Sequence, residues 1–299
     1  MHRALMFRLC FDGVAVTKFL FFLNNYRDAV RNGVWTEPLL TEMQLAEILL
    51  KYRKQNPQFL EESFDPIMAY GPHGAIVHYS ATKETDAAVG AGSFLLSDTG
   101  AHYMCGTTDI TRTVAMAGAD ELTDEQKKHY TLVLKSHLNL LGAKFIKGVT
   151  GYSLDAIARE PLWREGLDFN HGTGHGVGYI LSVHEGPNAF RTPRGNTAVS
   201  VTAMEPGMVT SDEPGLYIEG KYGIRLESLI ECVEEGNGVY GFRPLTFVPF
   251  DRDAIDEKLL NFAEKTILNN YHRQVCDRIG LCLNKEEYDW LCEVTRPIL

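Results

Sequence analysis

Apolar and polar positions along this chain repeat with two periods, near 3.6 and near 2, and each change of period marks an element. Ala4–Leu23 is mostly apolar, but Arg8, Asp12 and Lys18 interrupt it. It therefore predicts a core helix and not a membrane span. Thr41 with Gln44 forms a capping-box pattern ahead of MQLAEILLKYRKQ, and Thr123 with Gln126 opens a second helix that should run to about Lys147 and stop at Gly148. Ser153 starts LDAIAREPLW, which Pro161 should bend or end. Strand-like runs cover Ala75–Tyr79, Gly92–Tyr103, Thr107–Ala115, Tyr179–His184, Met208–Ile218 and Gly223–Cys232. Helical periodicity returns over Ile255–Gln274, and Asn284 caps a last helix, KEEYDWLCEV. Helices followed by a hairpin occur twice, over 11–118 and 119–235, which predicts an α+β fold with internal pseudo-symmetry and a site between the halves.

Two hairpins then place acidic residues in pairs. Met104–Gly106 breaks the first; with the hairpin centred between Tyr103 and Met104, positions summing to 207 face each other, so Asp98 should stand roughly opposite Asp109. The second turn centres on Gly220 with a sum of 440, which sets Glu213 opposite Glu227. Like charges across a ladder destabilise it, and aspartate is a poor strand residue. A cation between them reverses the sign of that interaction. The apolar flanks Phe94, Leu95, Leu96, Ile224 and Leu226 argue that these strands lie in a core and not on a solvated face.

Four carboxylates with one imidazole, His175, suit two divalent cations such as Mn²⁺, Co²⁺, Fe²⁺ or Zn²⁺. Asp109 and Glu227, one from each pair, are the best candidates to bridge two ions. Such a pair would acidify a shared water and polarise a carbonyl, which makes hydrolysis the reaction class. His78, His171 and His184 accompany this set and are candidates to donate a hydrogen bond to an oxyanion. The remaining histidines take no role. The glycines of HGTGHGVG do not have the GxGxxG spacing of a dinucleotide loop, and predict instead backbone lying close to a ligand.

Composition narrows the classes. The net charge of −10 disfavours a nucleic-acid partner. The six cysteines have no CxxC pair or framework spacing and read as reduced thiols of a reducing, cytoplasmic compartment. At 299 residues the chain can bury a large core.

SDTGAHY, TTDITRT, HGTGHGVG, SDEPG and GIRLES together resemble the five metal-ligand motifs of the pita-bread metallopeptidases, in the same order. GPHGAIVHYSA, LDFNHGTGHGVGYILSVHEGP and the tail PLTFVPFD…WLCEVTRPI resemble the catalytic domain of eukaryotic cytosolic-type Xaa-Pro aminopeptidases. The resemblance implies a pita-bread fold with pseudo-two-fold halves, a catalytic domain over 1–239 and a helical C-terminal extension over 240–299. The two creatinase-like domains that precede the catalytic one in such proteins have no counterpart in these residues. It implies that Asp98, Asp109 and Glu227 hold one ion and that Asp109, His175, Glu213 and Glu227 hold the other, with manganese preferred and Co²⁺ or Zn²⁺ possible. Glu213 would also shuttle a proton. His78 and His184 would hold the scissile carbonyl and its oxyanion, His171 would line the proline-side pocket, and Arg225 would support a ligand carboxylate. The implied activity is removal of the first residue from peptides with proline second, by a homodimer formed through the extension, with no nucleic-acid or membrane partner. A prolidase-type dipeptidase and a non-catalytic peptide-binding module on the same fold remain open alternatives.

Overall fold

Four helix starts follow the capping chemistry. The computed structural model describes residues 2–192 and 202–299, with side chains from Phe11 onward. The elements in chain order are α1 (His2–Arg31), α2 (Glu42–Arg53), β1 (Phe59–Glu62), β2 (Ile67–Tyr70), β3 (Phe94–Thr99), β4 (Ala101–Tyr103), β5 (Gly106–Thr107), β6 (Ile110–Ala115), α3 (Asp124–Leu141), β7 (Lys144–Ile146), α4 (Gly151–Trp163), β8 (Gly174–His175), β9 (Ala189–Phe190), β10 (Val209–Asp212), β11 (Gly215–Ile218), β12 (Tyr222–Arg225), β13 (Ser228–Gly236), β14 (Val239–Pro244), α5 (Phe262–Ile279) and α6 (Lys285–Val294). Complete capping boxes open α2, α3, α5 and α6, from Thr41, Thr123, Asn261 and Asn284.

The two halves have like make-up. In the first, antiparallel β2-β3-β6 is covered by α1 and α2. Val16, Phe19, Leu20, Leu23 and Tyr26 of α1 recur at helical spacing and are buried against Leu45 and Leu49 of α2 and Leu95 and Val114 of the sheet. Each large apolar side chain so buried contributes about 1.5–3 kcal/mol. In the second half, β10-β13-β14-β7 is covered by α3 and α4, with Leu138, Leu154, Ala158, Leu162, Phe190 and Phe242 between the layers. Among the described residues, no helix is long and apolar enough to cross a membrane.

The halves meet edge to edge. Thr113 Oγ1 donates to the Arg225 carbonyl (3.0 Å) and accepts from the Arg225 N–H (3.1 Å), and the Glu227 N–H donates to the Thr111 carbonyl (3.0 Å). The tail spans both halves, since α5 lies against α1 and α3 and α6 lies against α1. Arg112 ties the tail to this junction. Its buried guanidinium donates to the Thr111 and Glu227 carbonyls on one side, and to the Val248 and Pro249 carbonyls and the Tyr271 hydroxyl on the other.

Several expected elements differ. The helix from Thr123 ends at Leu141, because residues 144–146 instead pair with β14. Pro161 does not stop α4, which continues to Trp163; this close to the C-terminus the missing N–H removes a single bond. Ala75–Tyr79 and Tyr179–His184 are not strands. Gly71–Ala75 forms a 3₁₀ turn, and Ile180 has φ of 54° in an open loop. A short apolar run does not distinguish a strand from a buried turn. The periodicity over Ile255–Gln274 resolves into α5 from Phe262, preceded by two short 3₁₀ turns.

Candidate metal centre

The first acidic pair is offset from its expected register. The turn closes at Tyr103 opposite Gly106, so facing positions sum to 209 and Asp98 stands opposite Thr111. Asp109 lies two positions from Thr111, which puts its side chain on the same face as that of Asp98, diagonally placed. The second pair has the expected register. Gly215 faces Arg225 and Asp212 faces Ser228, both summing to 440, so Glu213 and Glu227 face each other where the two ladders part. Pro214 has no N–H to continue the ladder. The freed amides turn elsewhere: the Glu213 N–H donates to the Thr173 carbonyl (2.8 Å) and the Glu227 N–H to Thr111.

His175 arrives on β8, beside β10. A Cβ on Gly174 would lie 1.8 Å from the Ser211 carbonyl oxygen, and one on Gly176 would lie 2.1 Å from that of Glu185. The glycines therefore admit neighbouring protein backbone, while Gly172 and Gly174 also line the adjoining cleft. Ser211 Oγ fixes this arrangement by accepting from the His175 N–H (2.9 Å) and donating to Glu213 Oε1 (3.1 Å).

One cleft of about 560 Å³ is lined by Asp98, Asp109, His175, Glu213, Glu227, His78, His171, His184 and Arg225, every residue singled out from the sequence. Ligand atoms of Asp109, His175 and Glu227 lie within 4.8 Å of one another. His175 Nε2 is 3.4 Å from Asp109 Oδ2 and 3.3 Å from Glu213 Oε1. Asp98 Oδ1 and Glu227 Oε1 are buried acceptors with no hydrogen-bond partner among the described residues. Anionic oxygens in that state demand a cation, and the donor set of carboxylates and one imidazole fits a divalent metal.

The electrostatics agree. Burial pushes Asp109 up to about 6, with Asp98 adding to the rise. Burial and the Asp109 charge push Glu213 up to about 7. Burial, then Asp109, Glu213 and Asp98, hold Glu227 well above the carboxylate range. For His175 burial opposes the charge, but the hydrogen bond to Asp109 and the nearby carboxylates outweigh it and lift the imidazole to about 9. His171 goes the other way: burial and the Arg225 cation lower it to about 3. His184 is lowered by burial and by the imidazoles of His175, whose ring centroid is 4.1 Å away, and His78.

Supporting side chains that the motifs did not single out complete the site. Thr111 Oγ1 donates to Glu227 Oε2 (2.7 Å). Arg225 donates to Asp98 Oδ2 (2.5 Å) and, through its other nitrogen, to the Tyr217 hydroxyl (2.7 Å). Tyr217 in turn meets His171 Nε2 at 2.8 Å, while His171 Nδ1 lies 2.8 Å from the Gly172 carbonyl and must carry the hydrogen. A period of two from the acidic positions finds them: 109 to 111, 213 back to 211, 213 on to 217.

Comparison with known proteins gives the same picture. The chain is 40% identical over 296 residues to a probable Xaa-Pro aminopeptidase P of Paracoccidioides brasiliensis, a match covering 96% of this chain and 46% of that protein. It is 40% identical over 303 residues to that of Arthroderma otae, covering 98% and 47%. The chain thus spans about half the length of the curated relatives it matches. An X-prolyl aminopeptidase of Caenorhabditis elegans, described as a cytosolic enzyme with a dinuclear active site, superposes with a TM-score of 0.88 at 36% identity, covering 99% of this chain and 48% of that one. An Xaa-Pro dipeptidase of Bacillus anthracis gives 0.65 at 29% identity, covering 81% and 59%. The family model for its C-terminal region matches residues 238–298. With its main model matched over residues 23–234, the chain belongs to metallopeptidase family M24, and its fold is the pita bread of that family.

Proposed function

We propose that this chain is the catalytic portion of a metal-dependent Xaa-Pro aminopeptidase, releasing the first residue from peptides with proline in second position. The observation that carries the reading is the convergence of five donor residues on one cleft in which two buried carboxylate oxygens have no partner. Asp98, Asp109 and Glu227 would hold one divalent ion, and Asp109, His175, Glu213 and Glu227 a second. Mn²⁺ suits so oxygen-rich a set, with Co²⁺ or Zn²⁺ as alternatives. When bound, such ions acidify water and polarise the scissile carbonyl.

The surrounding residues divide the remaining work. Glu213 takes a proton from the attacking water at a carboxylate oxygen and returns it to the leaving proline nitrogen. His184, held neutral, keeps one ring N–H to donate, and with His78 holds the carbonyl and its oxyanion. Both nitrogens of His171 are engaged by Tyr217 and Gly172. Its ring face, backed by Phe169 at 4.8 Å, remains as a flat wall for a pyrrolidine ring. Arg225 keeps Asp98 oriented.

The fuller agreement with the worm aminopeptidase than with the dipeptidase supports exopeptidase action on longer peptides over a prolidase or a binding module. A cytoplasmic setting accords with the cysteines of the described residues, none of which is in a disulfide. A homodimer through residues 240–299 accords with Phe262 and Leu281, which are 87% and 89% exposed. In this reading the catalytic domain and extension divide near residue 240. The test is a panel of Xaa-Pro, Xaa-Pro-Xaa and Met-Ala-Xaa peptides with chelator or added Mn²⁺. Cleavage of Xaa-Pro-Xaa only with metal is expected, and no cleavage under excess Mn²⁺ refutes the reading. Asp109→Asn should lose bound metal together with activity, and by more than the roughly 10–100-fold typical of an outer-sphere partner.

A further inference from the structure

We propose that Glu42 is a positioning residue for His78, acting through the segment 70–87 that brings His78 to the cleft. Glu42 is the first residue of α2 and is fully buried. Its carboxylate gathers four donors, all from that segment. Oε1 accepts from the Tyr70 N–H (2.7 Å) and from His73 Nδ1 (2.9 Å), and Oε2 accepts from the Tyr79 hydroxyl (2.9 Å) and the Ala87 N–H (3.1 Å). The helix N-terminus favours a negative charge at this position. A carboxylate with four donors is satisfied in a way that no neutral side chain of its size reproduces.

The segment depends on this anchor. Beyond Tyr70 it has no ladder of its own, and folds as a 3₁₀ turn followed by open loop. The described residues give the His78 ring no hydrogen-bond partner, and its side chain is exposed on the cleft wall. Its place is therefore set by its neighbours. Tyr79, the next residue, is buried with its hydroxyl on Glu42, and His73 stacks on it at 4.4 Å between centroids and 23° between planes. On the other side Gly74 lies against Gly223 of β12, so tightly that a Cβ on Gly223 would sit 1.7 Å from the Gly74 oxygen. Residue 78 hangs between these two fixed points.

The inference rests on the aminopeptidase reading, in which His78 contacts the scissile carbonyl. Losing an oxyanion donor outright costs about 10²–10³ in kcat; displacing one should cost less, about tenfold. The experiment uses Glu42→Gln, which preserves size but turns an NH₂ toward donors, with Tyr79→Phe as a milder variant that removes one donor. With an Xaa-Pro-Xaa tripeptide and Mn²⁺, Glu42→Gln should lower kcat about tenfold with KM within twofold and metal content unchanged. Hydrogen exchange should quicken in residues 70–87 and not elsewhere. In a His78→Ala background the same substitution should have little further effect on kcat. An equal loss in both backgrounds overturns the proposal, as does loss of bound metal, or unchanged exchange over 70–87 in both variants. Should the wild-type protein cleave no Xaa-Pro peptide, the functional reading fails, while the exchange comparison still decides whether Glu42 anchors the segment.

Discussion

Asp12 on α1 offers a severe test of how this fold holds its acidic turn. Its carboxylate accepts from Arg53 Nε (2.8 Å) and from a second guanidinium nitrogen (3.1 Å), from the Tyr103 hydroxyl (3.1 Å) and from Thr108 Oγ1 (2.6 Å). Both Asp12 and Arg53 have 0% exposure. Asp12→Ala leaves a buried guanidinium with, among the described residues, only Thr99 Oγ1 at 2.9 Å and Glu62 at 3.6 Å. An orphaned buried charge costs about 3–5 kcal/mol. The Tyr103 hydroxyl, left without its acceptor, adds about 1–3 kcal/mol. Thr108 loses less, because its hydroxyl also reaches the Ala101 carbonyl at 3.3 Å. The terms overlap, so the expected loss is about 5 kcal/mol, a large share of the roughly 5–15 kcal/mol that holds a domain together. Urea denaturation of Asp12→Ala, Arg53→Met and the double variant measures it. The double variant should cost at least ~2 kcal/mol less than the sum of the single ones. Since Thr99 and Thr108 adjoin Asp98 and Asp109, Mn²⁺ titration should show weakened binding in the single variants. A loss under about 1 kcal/mol for Asp12→Ala, or strict additivity, refutes the argument.

Two further outcomes follow from the cleft. The chelated protein should lose stability as pH rises from 6.5 to 9, on the order of 2 kcal/mol. The sign follows from His175, lifted to about 9, and Glu213, lifted to about 7, which bind protons in the folded chain that the unfolded chain has released. His171 and His272, both lowered to about 3, act mainly below pH 6.5 and oppose the trend only slightly just above it. Denaturation midpoints at the two pH values check the slope, and saturating Mn²⁺ should flatten it. Tyr217→Phe removes the hydroxyl between Arg225 and His171 and should raise KM for an Xaa-Pro-Xaa peptide roughly fivefold to thirtyfold, or about 1–2 kcal/mol, at unchanged metal content. Steady-state kinetics with metal analysis reads both.

What was legible in the sequence was chemistry that acts over three or four residues, or over one tight turn. Thr41, Thr123 and Asn284 announced their helices because a cap is a local bond. The Glu213/Glu227 register was legible because one turn at Gly220 fixes both ladders. The first pair shifted by two positions because the turn centres between Met104 and Cys105, one residue later than expected, a difference that composition does not encode. Short strands such as β1 and β7 exist only because distant partners, β4 and β14, complete them. The networks of Asp12, Glu42 and Arg112 join residues 28 to 159 positions apart, beyond any local pattern.

Arg112 makes the last fifty residues something other than an appendage. A version shortened ahead of Val248 would strip a sealed-in cation of half its acceptors while it still gripped the carbonyl of Glu227. Engineers wishing to attach a label or a fusion partner should therefore extend the chain past Leu299, and evolution, facing the same geometry, has little freedom to trim it.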